Sequence, residues 1–301
     1  MRSCIVAIAK YENDYIREWI EYNLNLGFDH IFIGDNNDDH KEDIFTIVED
    51  YVKDNKVTVV NIKDFNIKQI DFYKMSYLNL VGNFDWVLYY DIDEFLVLKK
   101  HKNVNDYLSQ EKFNNFDVIK INQKMMTNNG YVIQIDKPVL ERFTQEAENF
   151  KCKHTFYDAD GIEHPCHINN TIKSFYRTGK NLIPATHSTE KEYSGIRYCN
   201  AIGEEIFDKP YWPNWSQYNE FVNHDEAYLM HFATKSLEEY VKYKMKRGWS
   251  CFKTPELQEY VFKNCLNLDV FEEINGKSPL YQQMYKELLI KYGLNEEKGF
   301  S

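Results

Sequence analysis

The stretch Asp85-Trp86-Val87-Leu88-Tyr89-Tyr90-Asp91-Ile92-Asp93-Glu94-Phe95-Leu96-Val97-Leu98 decides the reading of this chain. Its unbroken apolar run over 86–90 reads as a strand buried on both faces, the kind found inside a parallel sheet, where ligand sites lie off the strands' carboxyl ends. The run ends in three carboxylates and turns apolar again over 95–98. Carboxylates are costly to bury unless they are paired or bound to a metal, so this cluster is expected to hold a cation. In extended backbone Asp91 and Asp93 face the same way. That suits two oxygen ligands for Mg2+ or Mn2+, with a diphosphate completing the shell. The plainer reading, a solvated turn after a strand, does not account for the apolar residues that pin the acids on both sides.

Working outward, the first hundred residues alternate strand and helix. Residues 4–9 form a short apolar strand. Residues 14–26 carry Ile16, Trp19, Ile20, Asn23 and Leu24 at helical spacing, with Gly27 as the C-terminal stop. A second strand covers 30–34, and Ile44, Ile47, Val48, Tyr51 and Val52 mark a second amphipathic helix. Residues 57–62, 68–81 and 86–90 supply strand, helix and strand. This βαβαβαβ order predicts a three-layer α/β/α fold with a mostly parallel nucleotide-binding sheet. Strands two and four both end in acids, Asp35 and Asp91, so one carboxylate can meet a ribose or base and the other a metal.

Beyond residue 116 the strands 118–123 and 131–135 are expected in the mixed part of the sheet, joined by the turn Thr127-Asn128-Asn129-Gly130. Residues 143–223 are polar and rich in loop-forming types, which suits an acceptor-facing lobe and equally suits variable surface loops. The C-terminal part reads as helices over 236–248 and 279–294, the first opened by Ser236 with Glu239 in capping-box register. The expected division is 1–235 as the catalytic domain and 236–301 as a helical extension packed on it.

Composition bounds the function. A chain of 301 residues with 43% hydrophobic content buries a large core, and a formal charge of −11 argues against a nucleic-acid binder. No segment approaches the roughly 20 apolar residues of a membrane span, and residues 1–9 are too short for a signal peptide. A cytoplasmic location is the expectation. Six scattered cysteines read as free thiols of a reducing compartment. Cys152, His154, Glu163, His164, Cys166 and His167 gather potential zinc ligands, but their spacing matches no familiar zinc pattern, and ordinary polar histidines on a loop explain them as well.

The segments Lys10-Tyr11-Glu12 to His30, Asp35-Asn36-Asn37, 86–95, Leu140-Glu141-Arg142, Lys173-Ser174-Phe175-Tyr176-Arg177, Thr186-His187, Met230-His231-Phe232-Ala233-Thr234-Lys235-Ser236 and 244–248 together resemble glycosyltransferases of the GT-A fold. The match is to the family 2 (subgroup 4) and family 92-like group, and it spans about residues 5–248. The resemblance implies a nucleotide-sugar donor, a UDP-sugar in particular, and inverting transfer to a hydroxyl of a glycan or lipid-linked glycan. It implies nucleotide contacts from Ala9, Lys10, Glu12, Asp35, Gln69, Asp91 and Lys235, and Mn2+ or Mg2+ at Asp91, Asp93 and His231. Lipid-linked acceptors are common in such pathways, so peripheral association with a membrane is a further expectation.

Inversion needs a base in line with the leaving group. Asp225 is the candidate, with Glu226 and Glu163 behind it, and Glu94 is expected to support the metal site. His231 could instead be a core imidazole beside Phe232, and Lys235 a solvated residue before a helix. Tyr11 stands where the group usually has Asn, and Gly34 where it often has Tyr. Met125-Met126-Thr127-Asn128-Asn129-Gly130 also departs from the group's pattern near the acceptor. A sugar-phosphate nucleotidyltransferase and a non-catalytic carbohydrate-binding protein are the competing classes. The first would need a Gly-rich phosphate loop that residues 9–13 lack, and the second leaves the acids without a partner.

Overall fold

The computed structural model describes residues 1–37, 43–63, 69–147, 151–157, 163–189, 193–206, 222–247 and 267–294, with backbone alone over 151–157 and 163–168. It divides into two compact units, one of residues 1–124 and 151–231, the other of 125–150 and 232–301. The second unit thus begins four residues before the expected boundary and takes in the 125–150 excursion as well.

The first unit is built on a nine-stranded sheet. Strands β1 (Ser3–Ala9), β2 (His30–Asp35), β3 (Val57–Asn61) and β4 (Trp86–Tyr89) run parallel in the order β3-β2-β1-β4. Helices α1 (Ile16–Asn25) and α4 (Gln69–Asn79) provide crossovers. Between β2 and β3 the expected helix is broken into α2 (Ile44–Ile47) and α3 (Glu49–Lys53). Helix α1 buries Ile16, Trp19, Ile20 and Asn23, the stripe read from its spacing. It ends where Gly27 takes φ +100°, and a Cβ there would also stand 2.9 Å from that of Asn103.

Past β4 the order continues β9 (Ile172–Arg177), β6 (Val118–Met125), β11 (Ala227–His231) and β5 (Glu94–Leu98), with β10 (Tyr198–Asn200) beside β6 and the short helix α5 (Val104–Leu108) following β5 in the chain. Strand β9 is antiparallel to both β4 and β6. Three strands therefore separate β4 from β5, although only residues 90–93 connect them. Crossing a flat sheet that far needs about 19 Å at ~4.8 Å per strand, and five residue steps span at most about 18 Å. The sheet must curl, and the curl returns the β5–β11 ladder toward the tip of β4.

Helix α1 fixes that ladder from one side. The Trp19 indole N–H donates to the Glu94 carbonyl at 2.9 Å, and the Tyr22 hydroxyl donates to that of Leu96 at 2.7 Å. A two-stranded ribbon of β7 (Lys151–Tyr157) and β8 (Glu163–His167) completes the unit. The side chains of Cys152, His154, Glu163, His164, Cys166 and His167 lie outside the described ones, as do Cys251 and Cys265. Cys4 and Cys199 are buried free thiols, as expected.

The second unit is helical. It holds α6 (Val139–Arg142), α7 (Leu237–Glu239) continuing as a wider π-type turn over Tyr240–Met245, α8 (Leu268–Asn275) and α9 (Pro279–Lys291). The expected capping box is present: Ser236 Oγ accepts from the Glu239 N–H, and Glu239 Oε2 accepts from the Ser236 N–H. Leu237, Tyr240, Val241, Phe271, Tyr281 and Leu288 form its apolar core.

Residues 131–135 correct the reading from sequence, because they form no strand. The Tyr131 and Val132 carbonyls accept from the first N–H groups of α7, and the Gln134 N–H donates to Glu238. The extended stretch satisfies a helix N-terminus instead of a neighbouring strand. Among the described residues no helix is long and apolar enough to cross a membrane.

One buried pair fastens this unit. Arg142 donates to both Glu239 oxygens at 2.7 and 2.9 Å, and both side chains are almost fully buried. Burial pushes the Glu239 carboxyl up, but the Arg142 guanidinium, with Ser236 and Lys235 adding to it, holds the group below its usual value. Removing one partner leaves the other charge buried and alone. Arg142→Leu is therefore expected to lower stability by about 3–5 kcal/mol in urea unfolding; a loss below about 1 kcal/mol would show that the pair does not carry this constraint.

Candidate active site

The chemistry gathers where the parallel strands end. Ala9 and Asp35 stand opposite one another at the tips of β1 and β2. Asp35 is buried, and its oxygens serve the loop that follows: Oδ1 accepts from the Asn37 N–H, and Oδ2 from the Ile44 N–H and from Lys63 at 3.0 Å. Asn37 in turn accepts the Tyr11 N–H at 2.7 Å, which ties the loops after β1 and β2 together beside buried Glu12. Tyr11 has φ 56°, a left-handed conformation that Asn tolerates better than Tyr does, so the residue usual in the resembling group is the one this backbone favours. Lys10 is half-buried, with its ammonium 5.7 Å from the Tyr11 ring centre. At Gly34 a Cβ would meet Ile62 and Phe72 carbons at 3.0 Å, so those side chains fill the space a tyrosine would need.

At the tip of β4 the backbone is not extended as expected. Residues 92–93 turn, and the Glu94 N–H donates to the Asp91 carbonyl at 3.1 Å. The turn directs the acids to different partners. Asp91 Oδ1 accepts from Gln69 Nε2 at 2.9 Å, and its Oδ2 accepts from Lys173 Nζ at 2.8 Å. Asp93 Oδ1 faces His231 Nε2 at 3.7 Å. His231 Nδ1 lies 3.0 Å from Gln123 Oε1, an acceptor, so that nitrogen carries the proton. In the neutral ring Nε2 then holds a lone pair turned toward the Asp93 carboxylate.

Sheet pairing explains the convergence. His231 is registered with Glu94 across β11 and β5. Because β9 runs antiparallel, its first residues reach the edge where β4 ends: Ser174 pairs with Tyr89, and Lys173 with Ile121 of β6. Gln123 follows on the same end of β6. His187 hangs from this edge by Nδ1, 2.9 Å from the Ile172 carbonyl. Burial and the neighbouring Lys173 charge push the His187 pKa down to about 3, so its ring is neutral.

The carboxyls differ in protonation. Burial raises the Glu94 pKa to about 8, with Asp91 and Asp93 adding to the rise against the opposing pull of Lys173. A carboxyl that keeps its proton at neutral pH is no ready base, which fits the supporting place expected for it. Asp91 moves the other way: burial pushes it up, but the charge and hydrogen bond of Lys173, together with the nearby His187, hold it below its usual value and ionised.

Reading the sequence brought Asp91, Asp93, Glu94, Gln69 and His231 to one place, and the structure gathers all five. Gln69 reaches the site through Asp91. Lys173, Gln123 and His187 received no role from sequence, although Lys173 and His187 lie in segments that carried the resemblance; a lysine inside a strand pattern was the available signal. Lys235 belongs to the second unit, where it takes φ 52° just before the Ser236 cap.

Asp225 is not brought to the acids. It is exposed and lies beyond Ala227, which pairs with Leu98, whereas His231 at the other end of β11 pairs with Glu94. Four residue steps of strand, about 13 Å, separate the two ends. Its neighbour Glu226 is taken up by Lys112 and Lys100.

A mostly parallel sheet with carboxylates at its strand tips is the GT-A arrangement, an α/β scaffold of sugar-transferring enzymes. The chain belongs to glycosyltransferase family 92, whose sequence pattern matches residues 1–264, and is therefore a glycosyltransferase. No curated protein matches it significantly. Among solved structures it is similar to S. aureus TarS 1–349 in complex with UDP-GlcNAc, at 12% identity and TM-score 0.41, covering 100% of this chain and 75% of that one. It is similar also to S. aureus TarS, at 14% identity and TM-score 0.42, covering 97% and 44%, and to apo GlyE of Streptococcus pneumoniae TIGR4, at 17% and 0.27, covering 40% and 29%. The chain thus spans less than half of the longer TarS chain. Likenesses this distant assign no residue a role.

Asp225→Asn is expected to keep sugar-transfer or donor-hydrolysis activity within about twofold of the parent, since the residue touches none of the gathered groups. A fall of about 100-fold with unchanged folding would return Asp225 to the catalytic set.

Proposed function

We propose that this glycosyltransferase uses a UDP-sugar donor and a divalent cation, Mn2+ or Mg2+, and transfers the sugar with inversion to a hydroxyl of a glycan or lipid-linked glycan. The observation that carries the reading is the facing pair Asp93 Oδ1 and His231 Nε2, 3.7 Å apart at the mouth of the parallel sheet. A carboxylate and a lone-pair imidazole suit a borderline-hard cation. Gln123 holds the far nitrogen of the ring, the outer hydrogen bond that fixes a metal-binding histidine. Among the described residues no three His, Cys, Asp or Glu side chains close on one point, and Asp91 is drawn toward Lys173. Magnesium-type sites commonly take one or two carboxylates and complete the shell with substrate phosphates and water, so the set fits a cation that arrives with its nucleotide.

When bound, the cation would neutralise charge that builds on the departing diphosphate. The chain's own residues do the rest. Ala9, Lys10, Glu12 and Asp35 border the loops on which the nucleoside would rest, and Asp35 keeps those loops in place through Asn37, Ile44 and Lys63. Gln69 and Lys173 hold Asp91 facing the mouth of the sheet, where a third of its side chain remains exposed. The residues after β1 contain no glycine, which disfavours the nucleotidyltransferase alternative.

The test is turnover of a panel of nucleotide sugars with and without Mn2+, together with thermal unfolding in UDP and Mn2+. A UDP-sugar is expected to be consumed only with metal, and the metal and UDP together to raise the unfolding temperature. Asp93→Asn is expected to lose about 100-fold or more of the metal-dependent rate while unfolding as the parent does. Full activity in that variant would contradict the assignment.

A further inference from the structure

Lys173 is a buried ammonium placed inside the acid cluster. Its side chain is 2% exposed, and a charge so deeply buried persists only among compensating groups. Nζ donates to Asp91 Oδ2 at 2.8 Å and to the Thr186 carbonyl at 3.2 Å, and it lies 3.8 Å from Glu94 Oε2. Two of its three donors thus have acceptors within hydrogen-bond reach, and the Glu94 carboxyl stands just beyond. Asp91 is equally committed, because its other oxygen accepts from Gln69 at 2.9 Å. Asp93 instead turns to His231 on β11. The Ile92-Asp93 turn therefore sorts the carboxylates, sending Asp91 to a lysine on β9 and Asp93 to an imidazole.

We infer that Lys173 is a positioning residue that serves as the resident counter-cation of the acid cluster: it holds Asp91 for itself and leaves Asp93 and His231 as the protein ligands of the divalent cation. This rests on the metal reading proposed above and deepens it. The lysine sets the affinity of the site, because a fixed positive charge among the acids opposes the arriving cation. It also stabilises the fold when no metal is bound, since the ionised Asp91 does not wait for an ion to be compensated. Asp91, held on both oxygens and still exposed at its mouth-facing edge, then serves the nucleotide and not the metal.

The test measures Mn2+ uptake directly, from the electron paramagnetic resonance signal of free Mn2+ in the presence of UDP. It compares the parent with Lys173→Met, the double variant Asp91→Asn/Lys173→Met, and Asp93→Asn. Lys173→Met is expected to bind Mn2+ about tenfold or more tightly, since one opposing charge is gone. The double variant removes an ion pair at no net change of charge and is expected to bind within about threefold of the parent, whereas Asp93→Asn loses at least about tenfold. Thermal unfolding in a chelator gives a second readout. Lys173→Met should unfold at a lower temperature than the parent and regain it with Mn2+, and the double variant should need no such rescue.

Loss of Mn2+ binding in the double variant as severe as in Asp93→Asn would make Asp91 a metal ligand and overturn the division. So would a Lys173→Met variant that binds Mn2+ no more tightly than the parent. A parent protein that takes up no Mn2+ with UDP would overturn the metal reading itself, an outcome distinct from the first two. Should Lys173→Met fail to fold, the double variant, which leaves no unpaired charge, still decides between the two ligand sets.

Discussion

The ion pair between Lys173 and Asp91 is the interaction on which the rest of the site depends. Three acids lie within four residues at the tip of a fully buried strand, where carboxylates repel one another and water is scarce. Without a nearby positive charge the turn over 91–94 would open toward solvent or take up protons. The lysine keeps Asp91 ionised, and Glu94 still holds its proton up to a pKa of about 8. One strand tip thus carries carboxyls of contrasting character a few residues apart, set by where each one points.

That pair exists because of how the sheet is threaded. A wholly parallel sheet would bring only strand ends to this edge. Strand β9 runs the opposite way between β4 and β6, so its beginning arrives where theirs finish and carries Lys173 with it. The short connection from β4 to β5 forces the sheet to curl, and the β5–β11 ladder brings His231 back to the same mouth. Helix α1 holds the ladder through Trp19 and Tyr22. The proposed chemistry sets opposed requirements in one place: groups that would attract a cation and its diphosphate, and a scaffold that survives the repulsion among the acids. The counter-charge arrives on β9, a strand other than those that carry the acids.

Much of this was legible in the residues themselves. The apolar run ending in Asp91 declared a buried strand with a site at its tip, and the α1 stripe, the Gly27 stop and the Ser236–Glu239 capping box all stand where spacing put them. These are local signals, decided within a turn or two of chain. Three readings went astray, two of them because they depended on partners distant in sequence and the third because of a local turn. Residues 131–135 look like a strand and cap a helix. Asp225 looks close to His231 and lies at the far end of the same strand. Asp91 and Asp93, expected on one side of an extended chain, are parted by a turn whose Glu94 N–H closes onto the Asp91 carbonyl.

By itself, then, the sequence determined the α/β alternation and the acid-tipped strand, because burial periodicity and capping are properties of contiguous residues, while its motifs in combination carried the family resemblance. Only the tertiary structure decided which carboxylate meets the lysine, which meets the imidazole, and which candidate base lies out of reach. Those outcomes follow from strand order and direction, which join residues about eighty to one hundred and forty positions apart. Pairing energies between such segments leave no periodic mark in either one alone.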